Sequence, residues 1–281
     1  MSRTITIFCH GGIGNRFGSL ASGLAIAEQL SITDITVAWP INNWCGCYFH
    51  DLFDNQDFKV NELGIWDIFV KDTGQAFVIH ENQTGADLGL VLPHTGDSLE
   101  HLKTIDNSIV FYHNKMAPYI PLDQIVSATN RLKIKVDVKQ QVLAFIQEHN
   151  IDQSVVGLHL RKTENYRLND SKLYQMACNN SKQKYFVCSD DQATEHNFNQ
   201  LSNVVCYPKT SYVNKLIDGD WQAEIVDTDG RRYNYNIDRP RQSVIEAFVD
   251  MLVLSQTRMH FTVKSSFSKF ADVFAQSQVL L

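Results

Sequence analysis

The chain lacks an amino-terminal apolar run of signal-peptide form, because TITIFCH is about one strand long and meets glycine at once. Nor does it carry an uninterrupted apolar stretch of roughly 18 residues, the length a helix needs to cross a bilayer. It is therefore expected to be a soluble, cytoplasmic protein without a transmembrane segment. Positive charge is also short. Twenty-five Lys and Arg against 31 Asp and Glu give a formal net charge of -6 and a sequence pI near 5.9, the wrong balance for a surface that binds nucleic acid by releasing counterions. An anionic small molecule in a local positive pocket remains compatible with it. Six cysteines in 281 residues are too few for a disulfide framework. Cys9, Cys178 and Cys188 lie in apolar surroundings where a thiol behaves as a small hydrophobe. Cys45-Gly46-Cys47 has no second Cys/His pair at metal-site spacing and reads as free thiols. The sequons that begin at Asn82, Asn169 and Asn179 carry little weight without a secretory signal.

Two nucleotide signatures are missing as well. The loop GGIGNRFG fails G-x-G-x-x-G, because Phe17 stands where the third glycine belongs, and it has no Gly-Lys-Ser/Thr ending. A nicotinamide or ATP site of those types is thereby disfavoured. What the chain does have is alternation of strand and helix patterns, with 44% hydrophobic residues to fill a core. TITIFCH, the glycine-rich turn GGIGNRFGS, the helix LASGLAIAEQL and the strand ITVAWP make a parallel crossover unit. The small residues Ala21, Ser22, Gly23, Ala25 and Ala27 allow that helix to press close to a sheet. From Trp44 to Ile120 the pattern is irregular, with strand-like pieces IWDIFV, AFVIH, LGLVL and SIVFYH. Helices are predicted from Pro121 through Ala128 and over VDVKQQVLAFIQEHN, the second with Val138, Val142, Phe145 and Ile146 at helical spacing. Strand and helix then alternate to the end of the chain, interrupted by a polar insert from Ser211 to Asp238 that contains a hairpin signal at Asp229-Gly230. The expected fold class is α/β with two domains, residues 1–150 and 151–281.

Three strands run into polar clusters: SVVGLHLRKTENY, KYFVCSDD and MHFTVKSSFS. In an open parallel sheet ligands settle outside the carboxyl ends of the strands, so these clusters are expected to border one crevice. Arg161 offers a permanent charge and a planar fork of donors suited to phosphate oxygens, or else a salt bridge to a neighbouring acid. His159 shares a strand face with it, and taken alone is a core histidine. Ser265, Ser266 and Ser268, with Lys264, mark a strand-to-helix handover that can cradle phosphate or simply cap the helix. Asp190 and Asp191 suit a ribose or base, and Asp191 also suits a helix cap. Gly12, Gly14, Asn15 and Arg16 permit close backbone approach and supply donors at a helix start, or form a tight structural turn. Trp39, Trp44 and Tyr48 could stack on a sugar or pack in the core.

Taken in order, GGIGNRFGSLASGLAIA, HLRKTENY, YFVCSDD and VDMLVLSQTRMHFTVKSSFSKFA resemble the motifs of the fucosyltransferase superfamily, over about a third of the chain. The resemblance implies a GT-B fold of two Rossmann-like domains facing a cleft, with a GDP-sugar, usually GDP-fucose, held mostly by the carboxyl-terminal half and the acceptor side formed by the other. It implies Arg161 at the pyrophosphate, His159 at the donor, Asp190 and Asp191 toward guanine or ribose, and Ser265, Ser266, Phe267 and Ser268 at the phosphates. Gly12, Gly14, Asn15 and Arg16 would approach from the amino-terminal domain. The expected activity is metal-independent, inverting transfer of a sugar to a glycan hydroxyl, with Arg161 and either Glu164 or Asp170 in catalysis and no cofactor beyond the donor substrate. Lys162 stands where a second arginine is common, and Thr163-Glu164 replaces a Gly-Asp or Thr-Asp pair, so the sugar need not be fucose. A nucleotide-sugar-binding protein without turnover is the alternative.

Overall fold

Short runs rich in β-branched residues, several of them followed by a helix, build two parallel sheets. The computed structural model describes residues 3–62, 77–79, 102–104, 108–113, 115–163, 170–226, 232–233, 235–262 and 265–280. Two compact units emerge, the first made of Met1–Ile41, Tyr48–Lys135 and Asp272–Leu281, the second of Asn42–Cys47 and Val136–Ala271.

In the first unit, β1 (Thr4–Phe8), β2 (Asp34–Ala38), β3 (Lys59–Asn61), β4 (Phe77–Ile79) and β5 (Ile109–Tyr112) pair in the order β3-β2-β1-β5-β4, all parallel. Helix α1 (Ile13–Gln29) lies against β1 and β5, with Ala21, Ser22, Gly23, Ala25 and Ala27 all buried as their size suggests. A Cβ added to Gly23 would sit 2.6 Å from the Ile7 side chain, and one at Gly18 would sit 2.4 Å from the backbone nitrogen of Met116. The segment read as a glycine-rich turn is shorter than expected. Only Gly11 (φ 79°) and Gly12 turn, and the helix already begins at Ile13. Helix α2 (Leu122–Thr129) packs beside α1. The strand-like pieces IWDIFV and LGLVL lie outside the described residues.

The second unit carries β6 (Val156–Leu160), β7 (Tyr185–Ser189), β8 (Val204–Val205) and β11 (Arg258–Thr262), again all parallel, in the order β11-β6-β7-β8. Its helices are α3 (Val136–Glu148), α4 (Asp170–Asn179), α5 (Gln192–Phe198), α6 (Arg241–Leu254) and the start of α7 (Ser266–Gln276). On one face of the sheet Leu158, Leu160, Tyr185 and Val187 pack with Leu173, Ala177 and Phe198, nine-tenths or more buried throughout. Within the polar insert, β9 (Ile225–Val226) and β10 (Arg232–Tyr233) pair antiparallel, as a hairpin turning at Asp229-Gly230 requires, the turn itself lying outside the described residues.

The division of the chain differs from the expected one at residue 150. Val138, Val142 and Phe145 of α3 are buried, Phe145 sits edge-on to Phe186 at 6.0 Å, and the helix packs on α6, so α3 belongs to the second unit. The six residues Asn42–Cys47, which straddle the start of the irregular stretch, join it too. Gly46 N donates to Arg239 O at 2.9 Å, Arg239 N to Asn43 O at 2.8 Å and Asn43 Nδ2 to Ile237 O at 2.9 Å.

Backbone, unlike a flexible side chain, cannot step aside at Gly18. Gly18→Ala is expected to destabilise the protein by about 1–3 kcal/mol through overpacking, read as a lower midpoint with an unchanged slope in urea unfolding.

Candidate functional site

A parallel sheet delivers every strand exit to one edge, and the second unit places Arg161, Asp190 and Ser265 just beyond the carboxyl ends of β6, β7 and β11. His159 is the residue that ties these exits together. Its Nδ1 is hydrogen-bonded to Ser268 Oγ at 2.8 Å, and its ring stacks on Phe267 with centroids 4.5 Å apart. Burial lowers its pKa to about 4, Asp190 works in the opposite direction, and Arg161 and Lys209 reinforce the lowering. At neutral pH the imidazole is therefore uncharged, within electrostatic reach of all three side chains.

The serine cluster divides its labour. Ser265 Oγ accepts from Ser268 N at 3.2 Å, the hydrogen bond of a helix cap, and lies 3.2 Å from Ser268 Oγ. The amides of Ser266 and Phe267 fall in the first turn of α7, where no intrahelical carbonyl reaches them. Those amides and the half-buried Ser266 are the groups best disposed toward an anion.

Asp190 and Asp191 have separate local partners. Asp190 Oδ1 accepts from Lys162 N at 2.7 Å; Asp190 Oδ2 accepts from Thr163 N at 3.2 Å and from Thr163 Oγ1. Asp191 Oδ2 caps α5, accepting from Thr194 N at 2.8 Å and Thr194 Oγ1 at 2.6 Å. Both carboxylates thus hold the chain's own exit loops. Asp170, at the first turn of α4, is ion-paired with the Lys162 ammonium, which competes with an acceptor proton for its lone pairs. Arg161 itself is half-buried. Glu164 and Lys264 lie outside the described residues.

In the first unit, Gly12 is the N-cap position of α1, and Gly14, Asn15 and Arg16 form its first turn. Gly12 has no side chain with which to cap that helix, and no acidic residue stands in its first turn. Arg16 departs from the expected role as an outward donor. Fully buried, it donates from Nε to Gly11 O and from Nη2 to Pro40 O, each at 2.8 Å, with its guanidinium 4.9 Å from the Trp39 ring. Trp39 is likewise fully buried, edge-on to Phe49, so core packing and not sugar stacking accounts for it. Trp44 meets Tyr235 edge-on at 5.4 Å in the second unit, whereas Tyr48 in the first is 46% exposed.

One buried group escaped the reading of the sequence. Lys209, in the loop after β8, places Nζ 2.5 Å from Glu195 Oε1, 2.7 Å from Asp250 Oδ2 and 2.5 Å from Ser189 O. Burial works against its ammonium, but Asp250 and Glu195 more than offset this and the pKa is raised. Burial pushes the Asp250 carboxyl up to about 7 against the pull of Lys209. A signal did exist, since Asp250 interrupts the otherwise apolar FVDMLVL in the middle of α6, and a buried acid requires a cation. Among the described residues, no group of three or more His, Cys, Asp and Glu side chains is arranged to hold a metal ion, and no helix is long and apolar enough to cross a membrane.

The fold is of the GT-B α/β type and is shared with fucosyltransferases of known structure. NodZ from Bradyrhizobium, a fucosyltransferase, superposes with a TM-score of 0.61 at 15% identity, covering 96% of this chain and 92% of that one. FUT1 of Arabidopsis thaliana, as a variant in complex with GDP, gives 0.56 at 12% identity over 98% and 68% of the two chains. POFUT1 gives 0.50 at 12% identity over 98% and 95%. No protein-family model matches the sequence, and no curated protein matches it.

The lowered pKa of His159 makes a sign prediction. A histidine held neutral on folding contributes fully above its unfolded value near 6.5, and that contribution is lost as pH falls from about 6.5 to about 4. The loss amounts to about 3 kcal/mol for a buried group shifted this far. His10 in the first unit, lowered to about 4 by burial and by Arg16, adds to the same slope. His159→Gln is expected to flatten, without abolishing, the fall in urea-unfolding free energy over that window; an unchanged slope would contradict the assignment.

Proposed function

We propose that this protein is an inverting glycosyltransferase that moves a sugar, fucose in the first instance, from a GDP-sugar to a glycan hydroxyl. The observation that carries the reading is the coincidence of two things: a whole-chain fold shared with fucosyltransferases, and Arg161 with the α7 start at the carboxyl edge of the second sheet. NodZ structures of this fold were obtained co-crystallised with GDP and soaked with GDP-fucose, which supports the choice of nucleotide. A departing nucleoside diphosphate develops negative charge on its bridging oxygen. In this reading the Arg161 guanidinium and the amides of Ser266 and Phe267 take up that charge, while neutral His159 keeps Ser268 and Phe267 in place without adding a proton of its own. The acceptor hydroxyl attacks from the opposite face of the sugar, and its proton passes to a carboxylate, Glu164 or Asp170. A nucleotide-sugar-binding protein without turnover would use these same groups to hold the donor, so GDP release from GDP-fucose with and without candidate glycans discriminates the two readings: tight binding with no transfer favours the binder.

Thermal-shift measurements with GDP, UDP, ADP and dTDP test the base first, and stabilisation by GDP above the other three is expected. Arg161→Ala is expected to lower transfer by about 100-fold or more, with a melting temperature close to the parent's. Transfer that survives the substitution, or a chain that unfolds because of it, would sink the assignment of the arginine to chemistry.

A further inference from the structure

The last residue of β7 has both of its backbone groups in the hands of one buried ionic cluster. Ser189 N donates to Glu195 Oε1 at 2.7 Å, and Ser189 O accepts from Lys209 Nζ at 2.5 Å. The cluster is fed from three elements: Glu195 from α5, Asp250 from α6 and Lys209 from the loop after β8, with side chains only 4%, 3% and 4% exposed respectively. Tyr212 OH donates to Glu195 Oε2 at 2.8 Å, and the same loop is anchored again where the amides of Thr210 and Ser211 donate to Glu246. The residue that follows Ser189 is Asp190, whose carboxylate holds the amides of Lys162 and Thr163, the two residues directly after Arg161. Two links therefore join Lys209 to the backbone that carries the arginine.

Stability does not account for this arrangement. Buried ion pairs roughly break even against apolar residues of the same volume, because desolvation consumes the Coulombic gain. Here one ammonium serves two carboxylates, and among the described residues Asp250 Oδ1 is buried with no hydrogen-bond partner, a cost that a purely structural cluster has no reason to bear. What the cluster does deliver is a fixed position for the β7 exit. We infer that Lys209, together with Glu195 and Asp250, is a positioning unit for the donor site, setting the Ser189-Asp190 turn so that Asp190 can hold the Arg161 loop. The inference rests on the donor-site reading for its functional meaning, but its structural content is independent of it.

The test uses the full chain and two readouts: GDP affinity by titration calorimetry well below the melting temperature, and hydrogen exchange at the amides of Lys162 and Thr163. Lys209→Met combined with Asp250→Leu removes the ammonium together with one of its two carboxylates. With Glu195 left holding only its hydrogen bonds from Ser189 N and Tyr212 OH, the variant is expected to weaken GDP binding by about ten-fold or more and to speed exchange at both amides. Lys209→Arg, which keeps the charge but trades a compact ammonium for a larger planar fork, is expected to weaken binding less than the double variant does. Val204→Ala, a core substitution away from the cluster, serves as the stability-matched control and is expected to change neither readout. Should the double variant fail to fold, Asp250→Asn is measured in its place and the same separation from the control is required. Parent-like affinity and exchange in the charge-removed variant, or losses no larger than those of Val204→Ala, would overturn the inference. If the parent itself does not bind GDP, the donor-site reading fails, and the exchange rates at Lys162 and Thr163 alone decide the positioning role.

Discussion

Parallel pairing of β6 with β7 and β11 is the constraint on which the rest depends, because it makes three unrelated stretches of sequence end at one place. Strands β6 and β7 are buried on both faces, so their side chains have no freedom to slip register without exposing a whole apolar row. What lies past the last paired residue is thereby positioned to within the length of a side chain. The chemistry-bearing residues sit at those exits, and local hydrogen bonds refine their places: His159 with Ser268 on one flank, Asp190 with the Lys162 and Thr163 amides on the other.

Much of this was legible before any coordinates. Strand and helix positions in the second half follow from apolar runs punctuated by polar exits, and the small-residue face of α1 announced its close approach to the sheet. The site residues came into view because an arginine, an acidic pair and a serine trio at strand ends are costly to place there without a partner. Their partners were harder to foresee. That Asp190 turns back onto the Lys162 and Thr163 amides depends on the spacing of two adjacent strands, and that Arg16 turns inward depends on Gly11 O and Pro40 O arriving beside it. Neither is encoded in a local pattern. The Lys209 cluster was missed for the same reason: its members are separated by 14 and 41 residues along the chain, and only tertiary packing makes them neighbours.

The boundary between the units illustrates a second kind of illegibility. Helix α3 has an amphipathic pattern equally suited to either half, and the choice is made by Phe145 meeting Phe186 and by packing on α6, contacts that no window of sequence contains. The hexapeptide Asn42–Cys47 shows the same effect more sharply, since its residues carry turn character and their partners lie nearly 200 positions away, 194 in the case of Asn43 and Ile237.

That hexapeptide, together with the tail from Asp272 to Leu281 that belongs to the first unit, means the chain cannot be halved with a single cut. A fragment starting at Val136 would forfeit the short strap that fastens residues 237 to 239, and one ending at Lys135 would forfeit the last turns of α7, whose Phe274 sits edge-on to Phe17 at 5.8 Å. Exchange of whole halves between relatives by recombination would have to carry both interlaced pieces along, so the two units are bound to be inherited as one.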